Sequence, residues 1–185
     1  QAYAEKAVQV AHDQLKITKK IPLTERSETM FKVSQLIREH RGMLIGALSL
    51  DVAKPVYEAD SEISEAIDFI EFYRRSIKSL LSIDNMSFSP KGVCVIAPPW
   101  NFACSILTGN IAAALITGNT VIVKPPIESV LVAYKIIQLF WDAGVSKKTL
   151  QFLPSLNEPT GSFLIQQSKI DFVVLTGSTK TAQLF

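Results

Sequence analysis

The sequence predicts an α/β protein in which a helical leading part packs on a partial, doubly wound parallel sheet. Three observations carry this. Up to about residue 82 the apolar residues recur at helical spacing. From Ser87 onward, short continuous apolar runs alternate with helix-like stretches, the pattern of strands covered on both faces. With 48% apolar and 19% charged residues among 185, the chain can bury one sizeable core.

The elements follow in order. Met30, Val33, Ile37, Leu44 and Leu48 fall near helical spacing, with Arg26, Glu28, Lys32, Glu39 and Arg41 between them. Ile63, Ala66, Ile67 and Ile70 repeat the i, i+3, i+4, i+7 stripe. Ile21-Pro22 and Lys54-Pro55 mark breaks, because the residue before proline avoids the helical region. The division drawn is 1–86 as a helical segment and 87–185 as the sheet-bearing unit. In the second part, residues 93–97 read as a strand and 106–116 as a helix stopped at Gly118-Asn119. Residues 120–123 are a β-branched strand, and 130–141 a helix closed by Gly144. Strand 149–153, short helix 161–167 and strand 172–175 complete a β-α-β-α-β-α-β order. Right-handed crossovers make this a Rossmann-like half, whose ligands sit beyond the carboxyl ends of the strands. Those ends fall at 98–101, 124–126, 154–157 and 176–179.

Charge and composition narrow the function classes. Nineteen Lys and Arg against 17 Asp and Glu leave a net charge of +2, too small and too evenly spread for nucleic acid or a membrane surface. No apolar run approaches the roughly 18 residues that span a bilayer. The start, 1–11, is mixed polar and charged, unlike a signal peptide. Two cysteines and two histidines are too few for a disulfide framework or a metal cluster. The expectation is a reduced, cytoplasmic protein without internal repeats or low-complexity segments.

Three motifs stand at strand ends. In Pro98-Pro99-Trp100-Asn101-Phe102, the plainer reading is a turn with a core tryptophan. The functional one makes Asn101 an amide donor at a rigid strand end, suited to an oxyanion. Lys124, followed by Pro125 and Pro126, is either a solvated lysine or a group that holds a hydroxyl or phosphate. In Thr176-Gly177-Ser178-Thr179, Ser178 is either a plain N-cap or, with free backbone N–H groups, part of a pyrophosphate site. No G-x-G-x-x-G and no P-loop occurs. Cys94, inside an apolar strand, reads as an inert buried thiol. Cys104, at a helix start, has a conceivable route to a lowered pKa but no histidine nearby in sequence as a base. His12 and His40 read as surface residues on helices.

Taken in order, these motifs resemble the NAD(P)-dependent aldehyde dehydrogenase superfamily. The set is Gly92-Val93-Cys94-Val95-Ile96, Pro99-Trp100-Asn101-Phe102, Gly118-Asn119-Thr120-Val121 leading to Lys124-Pro125, Ala143-Gly144-Val145, and Thr176-Gly177-Ser178-Thr179. Lys54-Pro55 with Glu58-Ala59, and Glu65-Ala66-Ile67-Asp68-Phe69, look like the family's leading helices. Within the superfamily, Ile106 to Leu115 and Thr176 to Ala182 look most like the pyrroline-5-carboxylate (glutamate semialdehyde) dehydrogenases, including the C-terminal module of proline utilisation A proteins.

The resemblance implies a chemistry. A cysteine thiolate attacks the aldehyde, hydride passes to NAD, with NADP possible, and water cleaves the thioester. By match, Asn101 holds the oxyanion, Lys124 the adenosine ribose and Ser178 the pyrophosphate, with Gly177 beside it. Trp100, Pro98, Pro99 and Pro126 line the dinucleotide groove. The partners are a small-molecule aldehyde and the dinucleotide, in a parent expected to be a homo-oligomer.

Departures from the family pattern set further expectations. The family's nucleophile and general-base glutamate follow the Gly-Ser-Thr motif, and neither Cys94 nor Cys104 matches the nucleophile. The chain is therefore expected to be the N-terminal part of a longer enzyme, without the catalytic domain and inactive alone. Where the family usually has a ribose-binding glutamate stands Ile127, with Glu128 one place later. NAD preference is thus expected to weaken unless Glu128 reaches the ribose. Ser155-Leu156-Asn157 replace a Gly-x-Gly and are expected to crowd the adenine side. The strand 172–175 is expected to present an open apolar edge that invites pairing with another chain. Two rivals stay open: a non-catalytic nucleotide-binding or interaction module of the same fold, and another semialdehyde or CoA-acylating dehydrogenase.

Overall fold

A computed structural model describes residues 1–184. Four helices lead: α1 (Ala2–Thr18), α2 (Leu23–Glu39), α3 (Arg41–Val52) and α4 (Val56–Leu81). Pro22 and Pro55 stand in extended conformation just before α2 and α4, so the two proline breaks are where sequence reasoning put them. A third break separates α2 from α3. At His40 the backbone leaves the helical region, and its Nδ1 and its own N–H both donate to the Leu36 carbonyl at 2.9 Å. No proline or glycine marks that stop, so residues 30–48, which look like one stripe, are two helices.

The sheet follows: β1 (Val93–Ala97), α5 (Ser105–Ile116), β2 (Thr120–Val123), a 3₁₀ turn (Ile127–Ser129), α6 (Val130–Asp142) and β3 (Leu150–Phe152). A π turn (Asn157–Gly161), α7 (Ser162–Ile165), β4 (Phe172–Leu175) and α8 (Thr179–Leu184) complete the described chain. All strands are parallel, in the order β3-β2-β1-β4. β3 and α7 are shorter than the 149–153 and 161–167 read from the sequence.

Alternation along the strands sorts the layers. Cys94, Ile96, Val121, Val123 and Leu150 face a large core shared with α2 to α6. Val93, Val95 and Ile122 face the other way, against Ala4, Ala7, Val8 and Ala11 of α1 and Leu164 of α7. Those α1 residues sit at i, i+3, i+4, i+7, so one face of α1 closes one side of the sheet. Gln151 Nε2 ties it down by donating to the Ala7 carbonyl at 2.8 Å.

α5 lies between the sheet and α4 and is buried nearly all round, which explains its lack of a polar stripe. Gly109 permits this. A Cβ there would meet the Phe69 ring of α4 at 3.0 Å. The connection after α5 is fixed by Asn119, whose Nδ2 donates to the Ala114 carbonyl while its Oδ1 accepts the Gly92 N–H at 2.8 Å. Asp171 does the same before β4, accepting the Val93 N–H at 2.7 Å. No helix among the described residues is long and apolar enough to cross a membrane.

Candidate functional site

The strand order reverses at β1. The chain runs outward from β1 to β2 and β3, then returns to β1's other edge as β4. In such a sheet the loops after β1 and β4 diverge to opposite faces and leave a crevice at the carboxyl ends. The crevice is there, with a volume of about 500 Å³. This lies in the usual range for a small-molecule site. The β1–α5 loop, the β2–α6 loop and the turn after β4 supply its walls. Pro98, Pro99, Trp100, Asn101, Lys124, Pro126, Gly177 and Ser178 all line it. The structure thus brings together every site residue singled out from the sequence. It adds Phe102, Glu128, Thr176 and Thr181, which the motif reading did not select as site residues.

Each wall has a local cause. Trp100 is 53% exposed, so the reading of it as a core residue is wrong: the indole is a wall of the cleft. Lys124 is not solvated either. It is 5% exposed, and its stem passes so close to Gly161 that a Cβ there would lie 3.3 Å from its Cε. Burial pushes the ammonium's pKa below its ordinary value, partly offset by the Glu128 carboxylate. The 3₁₀ turn 127–129 sends Ile127 outward, 61% exposed, and places Glu128 on the cleft wall. A carboxylate thus stands on the cleft wall one residue after the family's usual position.

Ser178 adopts the plainer role: its Oγ accepts the Thr181 N–H at 3.1 Å and begins α8, while still lining the cleft. Ser155 and Leu156, where the family has a Gly-x-Gly, stand outside this cleft. Leu156 is 64% exposed. The side chain of Asn157 lies outside the described residues.

Behind Asn101 the loop is anchored from the helical part. The Asn101 carbonyl accepts from Lys54 Nζ at 2.7 Å. Lys54 forms an ion pair with Glu62, and its ammonium lies 4.5 Å from the Phe102 ring centre. The other Glu62 oxygen accepts the N–H groups of Cys104 and Ser105 at 2.7 and 3.1 Å, capping α5 from a different helix. Ala53, just before Lys54, is left-handed, with φ 53° and ψ 31°. Glu62 went unread in the sequence, although a charged residue three places after Ala59 in an apolar stripe signals a buried partner.

The cysteines are excluded as nucleophiles. Both are buried and neither lines the cleft. Burial pushes the Cys94 thiol up to about 12. Cys104 is also raised, by burial and then by the Glu62 carboxylate, which overturns the idea that its helix-start position lowers its pKa. His40 is exposed and His12 half-buried, and neither lines the cleft. Among the described residues no cluster of three or more His, Cys, Asp or Glu could hold a metal ion.

Fold and site define an α/β protein of the doubly wound class with a ligand crevice at its switch point. Comparison with known proteins narrows this. The aldehyde dehydrogenase family model matches residues 1–185, and the chain belongs to that family. It is 33% identical over 188 residues to 1-pyrroline-5-carboxylate dehydrogenase 1 of Halalkalibacterium halodurans, covering 96% of this chain and 36% of that protein. Among solved structures, proline utilization A of Bdellovibrio bacteriovorus, inactivated by N-propargylglycine, superposes with a TM-score of 0.94 at 31% identity. That match covers 98% of this chain and 20% of the other. 1-Pyrroline-5-carboxylate dehydrogenase from Thermus with bound NAD gives a TM-score of 0.92 at 32% identity, covering 99% and 38%. The chain spans about 36% of the length of the curated relatives it matches.

Proposed function

We propose that this chain forms the dinucleotide-binding cleft and supplies the oxyanion donor of an aldehyde dehydrogenase whose substrate is glutamate γ-semialdehyde. The observation that carries the reading is the meeting of Asn101, Lys124, Glu128 and Ser178 in one crevice at the switch point. The substrate assignment is supported by the relatives named above, at 31–33% identity.

The donor set fits a dinucleotide. The Lys124 ammonium and the Glu128 carboxylate are a donor and an acceptor for vicinal ribose hydroxyls. Trp100 and the prolines offer flat apolar walls. Ser178, beside the unhindered Gly177, brings a hydroxyl to the end of β4. A carboxylate at the ribose repels a 2′-phosphate, so Glu128 supports NAD over NADP. When bound, the nicotinamide accepts hydride. The chain's own part is to hold the ribose through Lys124 and Glu128, and to donate the Asn101 amide to oxygen as negative charge develops there. With Cys94 and Cys104 both buried and protonated, these 185 residues alone hold no thiolate to attack an aldehyde.

Calorimetric titration with NAD and NADP tests this. Saturable NAD binding, weakened about tenfold or more by Lys124→Met, is expected. A wild-type chain that binds neither nucleotide overturns it.

A further inference from the structure

We propose that Lys54 and Glu62 form an internal brace whose task is to position Asn101, and that they are positioning residues for the site rather than only parts of the core. The proposal rests on the reading of Asn101 as the oxyanion donor.

Asn101 stands where two hollows meet. On one side is the 500 Å³ cleft. On the other is a second hollow of about 270 Å³, bounded by 52–55, Glu58 and Trp100 to Phe102. A loop with a hollow on each side has little packing to hold it. What holds it is polar. Lys54 Nζ grips the Asn101 carbonyl at 2.7 Å and lies over the Phe102 ring. Glu62 holds Lys54, and with its other oxygen holds the N–H groups of Cys104 and Ser105. Residue 101 and residues 104–105 are thus pinned on both sides of the turn by one buried ion pair, whose side chains are 11% and 1% exposed.

The pair is an unusual choice if stability alone is at stake. Desolvating two charges costs about as much as their attraction returns, and apolar replacements are often as stable. What an ion pair adds is direction. Lys54 reaches a main-chain oxygen, so the Asn101 side chain is left uncommitted, with its amide available at the rim of the cleft. A misplacement of about 1 Å at such a donor costs on the order of 100-fold in rate.

The test uses this chain, with backbone amide relaxation, amide hydrogen exchange and NAD titration on the same samples. In Lys54→Met, the order parameters of Asn101 and Phe102 are expected to fall from about 0.85 to below about 0.6, the rest of the fold being unchanged. Lys54→Arg is expected to restore them. In Glu62→Gln, exchange at Cys104 and Ser105 is expected to rise at least tenfold. NAD affinity is expected to drop severalfold in Lys54→Met, because Trp100 shares the loosened turn. A purely structural role lowers the melting temperature yet leaves the 101–102 order parameters at wild-type values, and that result overturns the proposal. If the wild-type chain binds no NAD while Lys54→Met still loosens the turn, the dinucleotide reading fails and the brace stands.

Discussion

Two lysines stand beside the β1–α5 loop, each with a glutamate near it, and they differ in where they lie. Lys54 and Glu62 bind each other and spend their remaining capacity on main chain, at Asn101, Cys104 and Ser105. Lys124 and Glu128 line the cleft. There burial lowers the lysine pKa, and the glutamate offsets only part of that. Lys54 and Glu62 are tied to main chain; Lys124 and Glu128 are the residues proposed above to meet the ribose.

The sharpest way to break the contrast is Glu62→Ala. It strands the Lys54 ammonium and two N–H groups in the interior, and should cost about 3–5 kcal/mol in urea unfolding. A loss below about 1 kcal/mol would mean the brace is not buried in solution. Lys124→Met is the counterpart. It removes a buried cation from the cleft wall with little change of shape, so NAD affinity should fall about tenfold or more in calorimetric titration.

The same variant has a pH signature. Burial holds the Lys124 pKa below its usual 10.5 in the folded chain. The unfolded chain therefore binds this proton more tightly, and the penalty for charging the folded form is relieved as pH rises toward 10.5. Wild-type stability relative to Lys124→Met should climb through that window, and parallel unfolding curves would contradict it. The smallest effect is expected from Glu128→Gln. Removing the carboxylate should narrow the NAD over NADP preference by about three- to tenfold, read from paired titrations, with stability unaltered because the residue is exposed.

Strands 93–97, 120–123 and 172–175 were legible to the residue because continuous β-branched runs bounded by turn residues admit few alternatives. The cleft was legible for the same reason. Once strand ends are known, a switch point brings their next residues together, and Asn101, Lys124 and Ser178 followed. What escaped was set by tertiary packing. The stop at His40 has no punctuating residue. Lys124 reads as solvated until Gly161 is seen to lie against its stem. Glu128 depends on a single 3₁₀ turn. The brace joins residues 47 positions apart through a main-chain oxygen, which no local pattern encodes.

The position of β4 has a consequence for the order of assembly. β1's second neighbour is the latest in sequence of the four described strands, and the bond from Val93 to Asp171 closes a span of 78 residues. On a ribosome, β1, β2 and β3 can pair early while one margin of β1 waits for partners not yet synthesised. Long closures are slow, so the nascent chain leaves that margin open until residues 172–175 emerge, and the crevice forms only then.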